Sequence, residues 1–486
     1  MNRLILLISS VILISCNSSL QQIPEKPNIV FIMADDMGYG DVGIYNPNSK
    51  IPTPNMDQIA REGMYFTDAH SPSSVCSPTR YGVLTGRYAW RTWLKEGGLG
   101  PFDKLMVDTA RYTVADLLKD QGYATAIIGK WHMGLTYQDS IDFYSPPLKP
   151  GPLELGFDYF FGINHSLNMS PLVFIENHHT VGTPNVPAPP EVFTNHGNMM
   201  MVKGWRHEEV GPTFTRKAVE FINKQVNENP DQPFYLHLMT SAPHRPLYPP
   251  DFIRGRSQAG KRGDMVAEVD WTVGEVVKTL KEKGIYENTL IVVTSDNGAI
   301  GGEQSMDEDS VAGDPIQYDH QGNYVWRGRK TQIWEGGHRV PFIARWPGKI
   351  AAGTSSNEHL CLTDWMATVA GIFEVELPVD AAEDSYNMLP VLLGQPYQAP
   401  LREALVSHSA FGVYAIRQGK WKLIEGQGSG GWGDSKTFDY PPGQLYDMEV
   451  DSLETNNLYE QHPEVVESLE NLLEKYRNSG RSNEYK

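Results

Sequence analysis

Four short apolar stretches of this chain are each followed by polar side chains that are able to bind a metal ion or take part in catalysis. This pattern restricts the fold more than any other feature of the sequence. The stretches are rich in β-branched and aromatic residues and cover residues 27–34, 124–128, 234–239 and 289–295. Such runs are typical of strands buried on both faces of a parallel sheet. Helical patterns lie between or before them, at about residues 55–64, 114–122, 213–227 and 264–284. The alternation predicts a doubly wound α/β sheet, with functional residues collected at the strand carboxyl ends.

Oxygen-bearing side chains follow two of these strands. Asp35 and Asp36 come directly after the first strand, and Asp296 and Asn297 come directly after the last. A polar turn explains either pair alone. Together, three carboxylates and an amide at one sheet edge form a set of hard oxygen ligands that suits Ca²⁺. The residues alone therefore allow either two turns or one metal site.

Cys76 stands at the start of another predicted helix. Pro78 is preset for a first helical turn, so Cys76 would lie at the helix N-terminus, where unpaired N–H groups attract an anion. Arg80 lies one turn later on the same helix face. Since an isolated cysteine is more often an inert buried hydrophobe, a reactive site and a core position both remain possible from these residues.

Cationic and histidine side chains follow the other two strands. The second strand runs towards Lys130 and His132, which would point to the same side of an extended segment. The third strand leads to His244, just beyond its end. Each of these residues alone would be a surface residue more often than a catalytic one. Their common position after buried strands favours one shared site.

Three motifs together resemble those of a known enzyme family. Cys-x-Pro-x-Arg from Cys76, followed by Thr-Gly-Arg at residues 85–87, resembles the signature of the type I sulfatases, which modify this cysteine to formylglycine. Residues 129–134 and the segment around Lys330 are similar to two further sulfatase blocks. The resemblance covers about residues 26–460. It implies an alkaline-phosphatase-like fold, with a mixed α/β sheet flanked by helices.

The resemblance also implies a role for each residue of the site. One Ca²⁺ ion would be held by Asp35, Asp36, Asp296 and Asn297. A maturation enzyme would convert Cys76 to the formylglycine nucleophile. The charge of the sulfate would be held by Arg80, Lys130 and Lys330. The expected base is His132, and the expected acid for the leaving alcohol is His244. Independently of the resemblance, contacts to the substrate are expected from His165, His178 and His179, which lie within residues 135–210; His178 and His179 could equally be ordinary loop residues.

The chemistry explains why an ordinary serine or cysteine would not serve. A sulfated serine would need water to attack sulfur, whereas a hydrated aldehyde carries two hydroxyls on one carbon. One hydroxyl attacks sulfur, and deprotonation of the other expels sulfate by breaking the C–O bond. Ca²⁺ would polarise the sulfate oxygens and lower the pKa of the attacking hydroxyl.

A carbohydrate sulfatase is therefore the expected function, with exo removal of sulfate from a terminal, galactose-type sugar. Residues 135–210 lack clear periodicity and are rich in Pro, Asn and His, which is typical of long loops that set specificity. The alternatives are a phosphatase or phosphodiesterase of the same fold and a catalytically inactive glycan-binding lipoprotein. An aldehyde in the Cys76 peptide supports the sulfatase, whereas a free thiol supports either alternative.

The N-terminus predicts export. An apolar run at residues 4–14 ends before Ser15-Cys16 and resembles a bacterial lipobox, so residues 1–15 would be a signal peptide and Cys16 would be lipidated. Residues 16–26 would be a tether, which places the protein in the periplasm or on the outer membrane through its lipid anchor alone. With 41 Lys and Arg against 59 Asp and Glu, the formal charge of −18 argues against nucleic acid as a partner. An anionic substrate must then be captured by a local group of cations.

The sequence pattern changes at about residue 378. Two strand patterns and a closing amphipathic helix predict a small antiparallel sheet with one helix, over residues 404–408, 414–424 and 463–477. We therefore expect a catalytic domain at residues 27–377 and a C-terminal subdomain at residues 378–486. The glycine-rich residues 426–433 are expected to form a loop, since no strand and helix bracket them as a phosphate-binding loop requires.

Overall fold

The computed structural model describes residues 26–138, 141–144, 147–188, 199–300, 318–433 and 442–483. In chain order the strands are β1 (Asn28–Ala34), β2 (Met64–Phe66), β3 (Ala69–His70), β4 (Ala124–Lys130), β5 (Tyr159–Ile163), β6 (Ile175–Glu176), β7 (His179–Thr180), β8 (Val186–Pro187), β9 (Met200–Met201), β10 (Phe234–Met239), β11 (Thr289–Ser295), β12 (Phe342–Arg345), β13 (Thr354–Ser356), β14 (Leu360–Cys361), β15 (Leu405–His408), β16 (Tyr414–Gln418), β17 (Trp421–Ile424) and β18 (Gln444–Asp447). The α-helices are α1 (Pro54–Glu62), α2 (Cys76–Thr85), α3 (Val114–Asp120), α4 (Val210–Glu228), α5 (Gly260–Glu282), α6 (Glu335–His338), α7 (Trp365–Ile372), α8 (Leu389–Leu392) and α9 (Pro463–Ser479).

A ten-stranded mixed sheet organises the larger part of the molecule. Its strand order is β13-β2-β12-β11-β1-β10-β4-β5-β6-β7. The five central strands, β11-β1-β10-β4-β5, are parallel, whereas β12 and β6 pair antiparallel at either side of them. The four strands predicted from their apolar runs are the four adjacent strands β11, β1, β10 and β4. The predicted mixed α/β sheet is thereby confirmed.

Helices cover both faces of this sheet. Alternate residues of β1 belong to two separate cores: Phe31 packs on the side of α2, α3 and α7, and Ile32 packs on the side of α1, α4 and α5. Every residue of β1 is buried. This two-sided burial is the physical reason for a continuous apolar run in place of an alternating one.

The small C-terminal sheet is antiparallel, with the order β15-β16-β17-β18. The helix α9 packs on it through Leu469 and Leu473, which lie in one core cluster with Ile416 and Leu423. The turn between β16 and β17 contains Gly419, whose positive φ of 55° favours glycine there. The predicted small sheet with one helix is confirmed.

The boundary between the two parts stays a prediction. Residues 381–392 pack into the core of the main sheet, and the small sheet begins only at Leu405. The predicted signal peptide, the lipidated Cys16 and nearly all of the tether lie outside the described residues. None of the helices in the described ranges is both long and apolar enough to cross a membrane.

The interpretation of residues 135–210 as loops was partly wrong. Residues 159–163 form β5, which pairs in parallel with β4 and completes the central sheet. This strand reads Tyr-Phe-Phe-Gly-Ile, so it is short, and Gly162 interrupts the run of strand-favouring residues. The short strands β6 to β9 also fall in this region.

Candidate active site

The polar residues that follow the parallel strands meet at one edge of the main sheet. In the ladder Ala34 lies opposite Ser295, and Met33 lies opposite Met239. The strand carboxyl ends therefore coincide, which is where open α/β sheets bind their ligands. The side chains collected there are all buried and comprise Asp35, Asp36, Lys130, His132, His244, Asp296 and Asn297.

The helix α2 brings Cys76 to this edge. The chain is extended at Val75, and Cys76 is the first helical residue, as its position before Pro78 predicted. Cys76 Sγ lies 3.4 Å from Lys330 Nζ and 4.0 Å from an oxygen of Asp36. Burial raises the pKa of the Cys76 thiol to about 12, against the opposing charge of Lys330. The unmodified side chain is therefore a neutral thiol and a poor nucleophile.

The backbone before Cys76 is bonded to the C-terminal sheet. Ser74 N donates to the carbonyl of His408, the last residue of β15, at 3.0 Å. Thr331 N donates to Ser74 O at 2.8 Å, and Ala410 N donates to Thr331 O at 2.9 Å. Three segments from distant parts of the chain are thus joined by main-chain hydrogen bonds directly beside the cysteine.

Arg80 and Lys130 lie among carboxylates. Arg80 Nη2 donates to Asp296 Oδ2 at 2.7 Å, and Lys130 Nζ donates to Asp35 Oδ2 at 2.7 Å. Arg80 Nη1 also donates to the Lys130 carbonyl at 2.7 Å, which ties the end of β4 to α2. Burial and the neighbouring Asp35 carboxylate nevertheless raise the pKa of Asp296 to about 6. Burial and the Asp35 carboxylate therefore outweigh the opposing effect of Arg80 and Lys130 on the pKa of Asp296.

Asp36 is the most heavily bonded carboxylate of the cluster. Lys330 Nζ donates to its two oxygens at 2.6 and 2.8 Å, and Asn297 Nδ2 donates to Oδ1 at 2.9 Å. Burial alone would raise the pKa of Asp36, but the charges of Lys330, His244 and Lys130, together with the hydrogen bond from Lys330, outweigh it and hold the pKa far below its usual value. Asp36 has a φ of +70°, which is uncommon for a residue with a side chain. Its N–H donates to Asp296 Oδ1 at 3.1 Å and helps to hold this conformation.

The cluster has the donor atoms that a hard divalent cation needs. Asp35 Oδ1 and Asn297 Oδ1 are buried and have no hydrogen-bond partner among the described residues, which is rare for buried polar atoms. One ligand atom from each of four side chains lies within 4.8 Å of the others, namely Asp35, Asp36, Cys76 and His244. Carboxylate and amide oxygens are the ligands that Ca²⁺ prefers. The residues therefore fit a metal ion of this kind.

His132 has the hydrogen bonding of a neutral imidazole. Its Nε2 lies 3.0 Å from the Leu99 carbonyl, which places the proton on Nε2. Its Nδ1 is buried without a partner among the described residues. Burial, followed by the charges of Lys130 and Arg80, lowers the pKa of His132 well below its usual value. Nδ1 therefore carries an available lone pair, which is what a base requires.

The expectation that Lys130 and His132 share an extended segment was wrong. The strand β4 ends at Lys130, and His132 has a left-handed φ of +55°. The two side chains are brought to one site by this turn, since Trp131 N and His132 N donate to the carbonyls of Ile163 and Asn164 just after β5.

His244 lies beside Asp36. Its Nδ1 lies 2.6 Å from the Arg245 carbonyl, and its Nε2 lies 3.7 Å from Asp36 Oδ2. Burial and the charge of Lys330 lower the pKa of His244 well below its usual value. The neutral form with the proton on Nδ1 thus presents an unprotonated Nε2 to the cluster.

The three histidines expected to contact substrate lie in different places. His165 is buried, and burial with the charge of nearby Lys130 lowers its pKa to about 4. His178 pairs with Glu154 at 2.9 Å. His179 starts β7, where it pairs with Glu176. Because β6 runs antiparallel to β5, the turn between β6 and β7 points towards the amino ends of the parallel strands. The structure therefore brings His165 towards the cluster and leaves His178 and His179 away from it.

A buried arginine supports the cluster and was missed from the sequence. Arg262 in α5 donates to the Asp36 carbonyl at 2.9 Å and to Asp41 Oδ1 at 2.8 Å. Asp41 is held in turn by His320 Nε2 at 2.9 Å. These contacts fix the loop that carries the strained Asp36. Arg262 and Asp36 are 226 positions apart in the chain, so no local pattern could have indicated the contact.

Known proteins resemble this chain over most of its length. Residues 27–375 match the family described as Sulfatase, and residues 322–479 match the one described as N-sulphoglucosamine sulphohydrolase, C-terminal. The N-acetylgalactosamine-6-O-sulfatase of Bacteroides thetaiotaomicron is 35% identical in an alignment that covers 97% of this chain and 98% of that protein. The steryl-sulfatase of Homo sapiens is 32% identical in an alignment that covers 76% of this chain and 70% of that protein.

A solved structure shows the same likeness in three dimensions. It comes from work described as the metabolism of multiple glycosaminoglycans by Bacteroides thetaiotaomicron, and it is superposed with a TM-score of 0.82 at 33% identity. The superposition covers 93% of this chain and 100% of the other. The fold is therefore that of an alkaline-phosphatase-like hydrolase. The chain belongs to the sulfatase family and is a sulfuric ester hydrolase, as its motifs implied. Members of this family generally use formylglycine and a metal ion.

Proposed function

We propose that this chain removes the 6-O-sulfate from an N-acetylgalactosamine-type sugar at the end of a sulfated glycan. The observation that supports this substrate most strongly is the similarity to the N-acetylgalactosamine-6-O-sulfatase, which spans almost the whole of both chains. Similarity to the steryl-sulfatase is lower in identity and in coverage. A buried reaction centre also favours exo action, because a terminal sugar reaches such a site more easily than one within an unbroken glycan.

A Ca²⁺ ion at the carboxylate cluster is part of this proposal. The ligands would be Asp35, Asp36, Asp296 and Asn297. The three buried carboxylates, together with one oxygen each of Asp35 and Asn297 that accepts no hydrogen bond from the described residues, support a cation at this position. When bound, the ion polarises the sulfate oxygens and lowers the pKa of the attacking hydroxyl.

The charges around the nucleophile explain how an acidic protein captures an anion. The three cations Arg80, Lys130 and Lys330 face three carboxylates, so the formal charges of the side chains balance before any ion binds. A divalent cation then gives the site a formal charge of +2, and a sulfate monoester, which carries one negative charge, lowers it to +1. The remaining positive charge favours the negative charge that builds in the transition state. Formylglycine at position 76 supplies the hydroxyl that attacks sulfur and the second hydroxyl that expels sulfate. Lys130 and Lys330 stabilise the charge of the transition state, each by about 3–4 kcal/mol if they act like an oxyanion-hole donor.

His132 and His244 are proposed to move the protons. His132 Nδ1 has the lone pair that takes a proton from the second hydroxyl, and Leu99 fixes the required tautomer through Nε2. His244 must first be protonated on Nε2 before it can give a proton to the leaving alcohol. The negative charge of a sulfate ester against Nε2 raises the pKa of His244, so substrate binding itself promotes that protonation. Each histidine is expected to contribute about 10²–10⁴-fold to the rate.

A panel of sulfated compounds tests the substrate. The panel contains monosaccharides that differ only in the sugar and in the sulfated position, together with a steryl sulfate and a phosphate monoester. We expect the highest kcat/KM on 6-O-sulfated N-acetylgalactosamine, and at least about tenfold less on the 4-O-sulfate, because misplacing the ester by one ring position breaks alignment with the nucleophile. A preference for the steryl sulfate would contradict the proposed sugar, and a preference for the phosphate would contradict the proposed chemistry.

Removal of the metal gives a second test. We expect EGTA to abolish turnover and Ca²⁺ to restore it more fully than Mg²⁺, since Mg²⁺ demands a smaller octahedral site. Ca²⁺ should also raise the unfolding temperature of the chelated protein, and Asp296→Asn should reduce that rise because one ligand charge is lost. Full turnover by protein shown to be free of metal would contradict the assignment.

The proposal includes export and maturation. The lipobox-like residues 13–16 support a lipid-anchored protein in the periplasm or on the outer membrane, and the Cys-x-Pro-x-Arg segment supports recognition by a formylglycine-generating enzyme. The division into a catalytic domain at residues 27–377 and a C-terminal subdomain at residues 378–486 is also proposed.

A further inference from the structure

An exposed tryptophan of the C-terminal subdomain lies at the rim of the active site. Trp432 is 43% exposed, although it belongs to a loop that is bonded to residues of the site. Large apolar side chains exposed beside a reaction centre are frequently ligand contacts. The catalytic steps proposed above do not use this residue.

One side of the loop is bonded to the segment that carries Lys330. Trp432 N donates to Thr331 Oγ1 at 3.1 Å, and Gln332 Nε2 donates to Trp432 O at 3.4 Å. Gly431 lies so close that an added Cβ would meet Thr331 O at 2.5 Å, so only glycine fits there. The backbone at Trp432 is therefore bonded to Thr331, the residue that directly follows the cation Lys330.

The indole also faces the segment that carries His244. The guanidinium carbon of Arg245 lies 5.8 Å from the centre of the Trp432 ring. Arg245 directly follows His244, whose Nε2 lies 3.7 Å from Asp36 Oδ2. This cation–π contact holds the indole between two segments, of which one carries Lys330 and the other carries His244.

We propose that Trp432 is the stacking platform for the sugar next to the sulfated one. A pyranose ring presents a face of C–H groups that packs on an aromatic ring, and an indole offers a large contact area at low cost in conformational entropy. Arg245 lies near the ring, and the exposed part of the indole accepts the neighbouring sugar. This inference rests on the proposed glycan substrate and extends it, because the enzyme then contacts two adjacent sugars of the glycan.

The test compares one sugar with two. Turnover is measured with the preferred sulfated monosaccharide of the panel and with a disaccharide that carries this sugar at its non-reducing end. Trp432→Ala should lower kcat/KM for the disaccharide about tenfold more than for the monosaccharide, mainly through KM, because aromatic stacking of a ring contributes roughly that factor. Trp432→Phe should keep most of the difference between the two substrates.

Trp421→Ala is the matched control. Trp421 belongs to the same subdomain, but its ring packs against His462 and Lys420, away from the segments of the site. Its removal should leave the ratio of the two substrates as in the wild type, whatever its effect on stability. An equal loss on both substrates in Trp432→Ala would make the residue a mere support of the Thr331 segment and would overturn the proposal, as would no loss on either. Failure of the wild type on every sulfated sugar would instead count against the proposed function.

Discussion

Replacement of Cys76 by alanine should abolish sulfate ester hydrolysis, lowering kcat by about 10⁴-fold or more, as removal of a nucleophile does in other hydrolases. The reason is that alanine cannot be converted to formylglycine, so the hydroxyl that attacks sulfur is lost. The wild type should show the mass of an aldehyde in the Cys76 peptide. The measurement is steady-state turnover together with peptide mass analysis of the same preparations.

Cys361→Ala is the control for this variant. Cys361 is the other free, buried thiol of the described residues, and it lies in β14 outside the carboxylate cluster. Its loss should leave turnover per folded molecule unchanged. Undiminished hydrolysis by Cys76→Ala would overturn the nucleophile assignment. A free thiol in active wild-type protein would favour the phosphatase alternative, and a free thiol in inactive but matured protein would favour the glycan-binding one.

Lys330→Met should lower kcat by about 10²–10³-fold, since this change removes one positioned charge and keeps most of the side-chain volume. Lys330 Nζ contacts both oxygens of Asp36 and lies 3.4 Å from Cys76 Sγ, so its charge acts on the metal ligand and on the nucleophile together. The pKa of Asp36 should rise in the variant, and Ca²⁺ affinity near neutral pH should change far less than kcat. Turnover, the aldehyde content and calorimetric Ca²⁺ binding are measured on one preparation.

Lys422→Met is the matched control for a buried lysine. Lys422 Nζ lies 3.0 Å from Glu335 and 2.7 Å from Glu454, so it is as deeply ion-paired as Lys330 but bonds other carboxylates. Its removal should lower the unfolding temperature, because the buried Glu454 carboxylate loses its cation while Glu335 keeps Arg339, and should spare kcat of the folded protein. A wild-type kcat in Lys330→Met with full aldehyde content would remove Lys330 from the proposed mechanism.

The central sheet could be predicted from the sequence because its strands are buried on both faces. β1, β10 and β11 are therefore continuous apolar runs, which can be recognised in the sequence without knowing which strands pair with them. β5 was missed because it is short and is interrupted by Gly162, and the pairing with β4 that defines it involves residues some 33 positions away, such as Ala126 with Tyr159.

The candidate site was predictable to the extent that it follows strand ends. Asp35 and Asp296 could be assigned to one edge because parallel strands end together. His178 could not be placed, since the direction of the hairpin from β6 to β7 depends on its antiparallel pairing with β5. Arg262 and Trp432 act through contacts with distant segments, and neither has a local pattern that marks it.

The hydrogen bonds from Ser74 to His408 and from Ala410 to Thr331 mean that the C-terminal sheet helps to position the segments that carry Cys76 and Lys330. A fragment that ends before β15 would leave the main-chain groups of the nucleophile segment without their partners. Deleting this sheet, or replacing it with the corresponding sheet of a relative, should therefore lower catalytic activity, although the sheet is far from Cys76 in the sequence. The segment that carries Cys76 is therefore fully hydrogen-bonded only when both sheets are present.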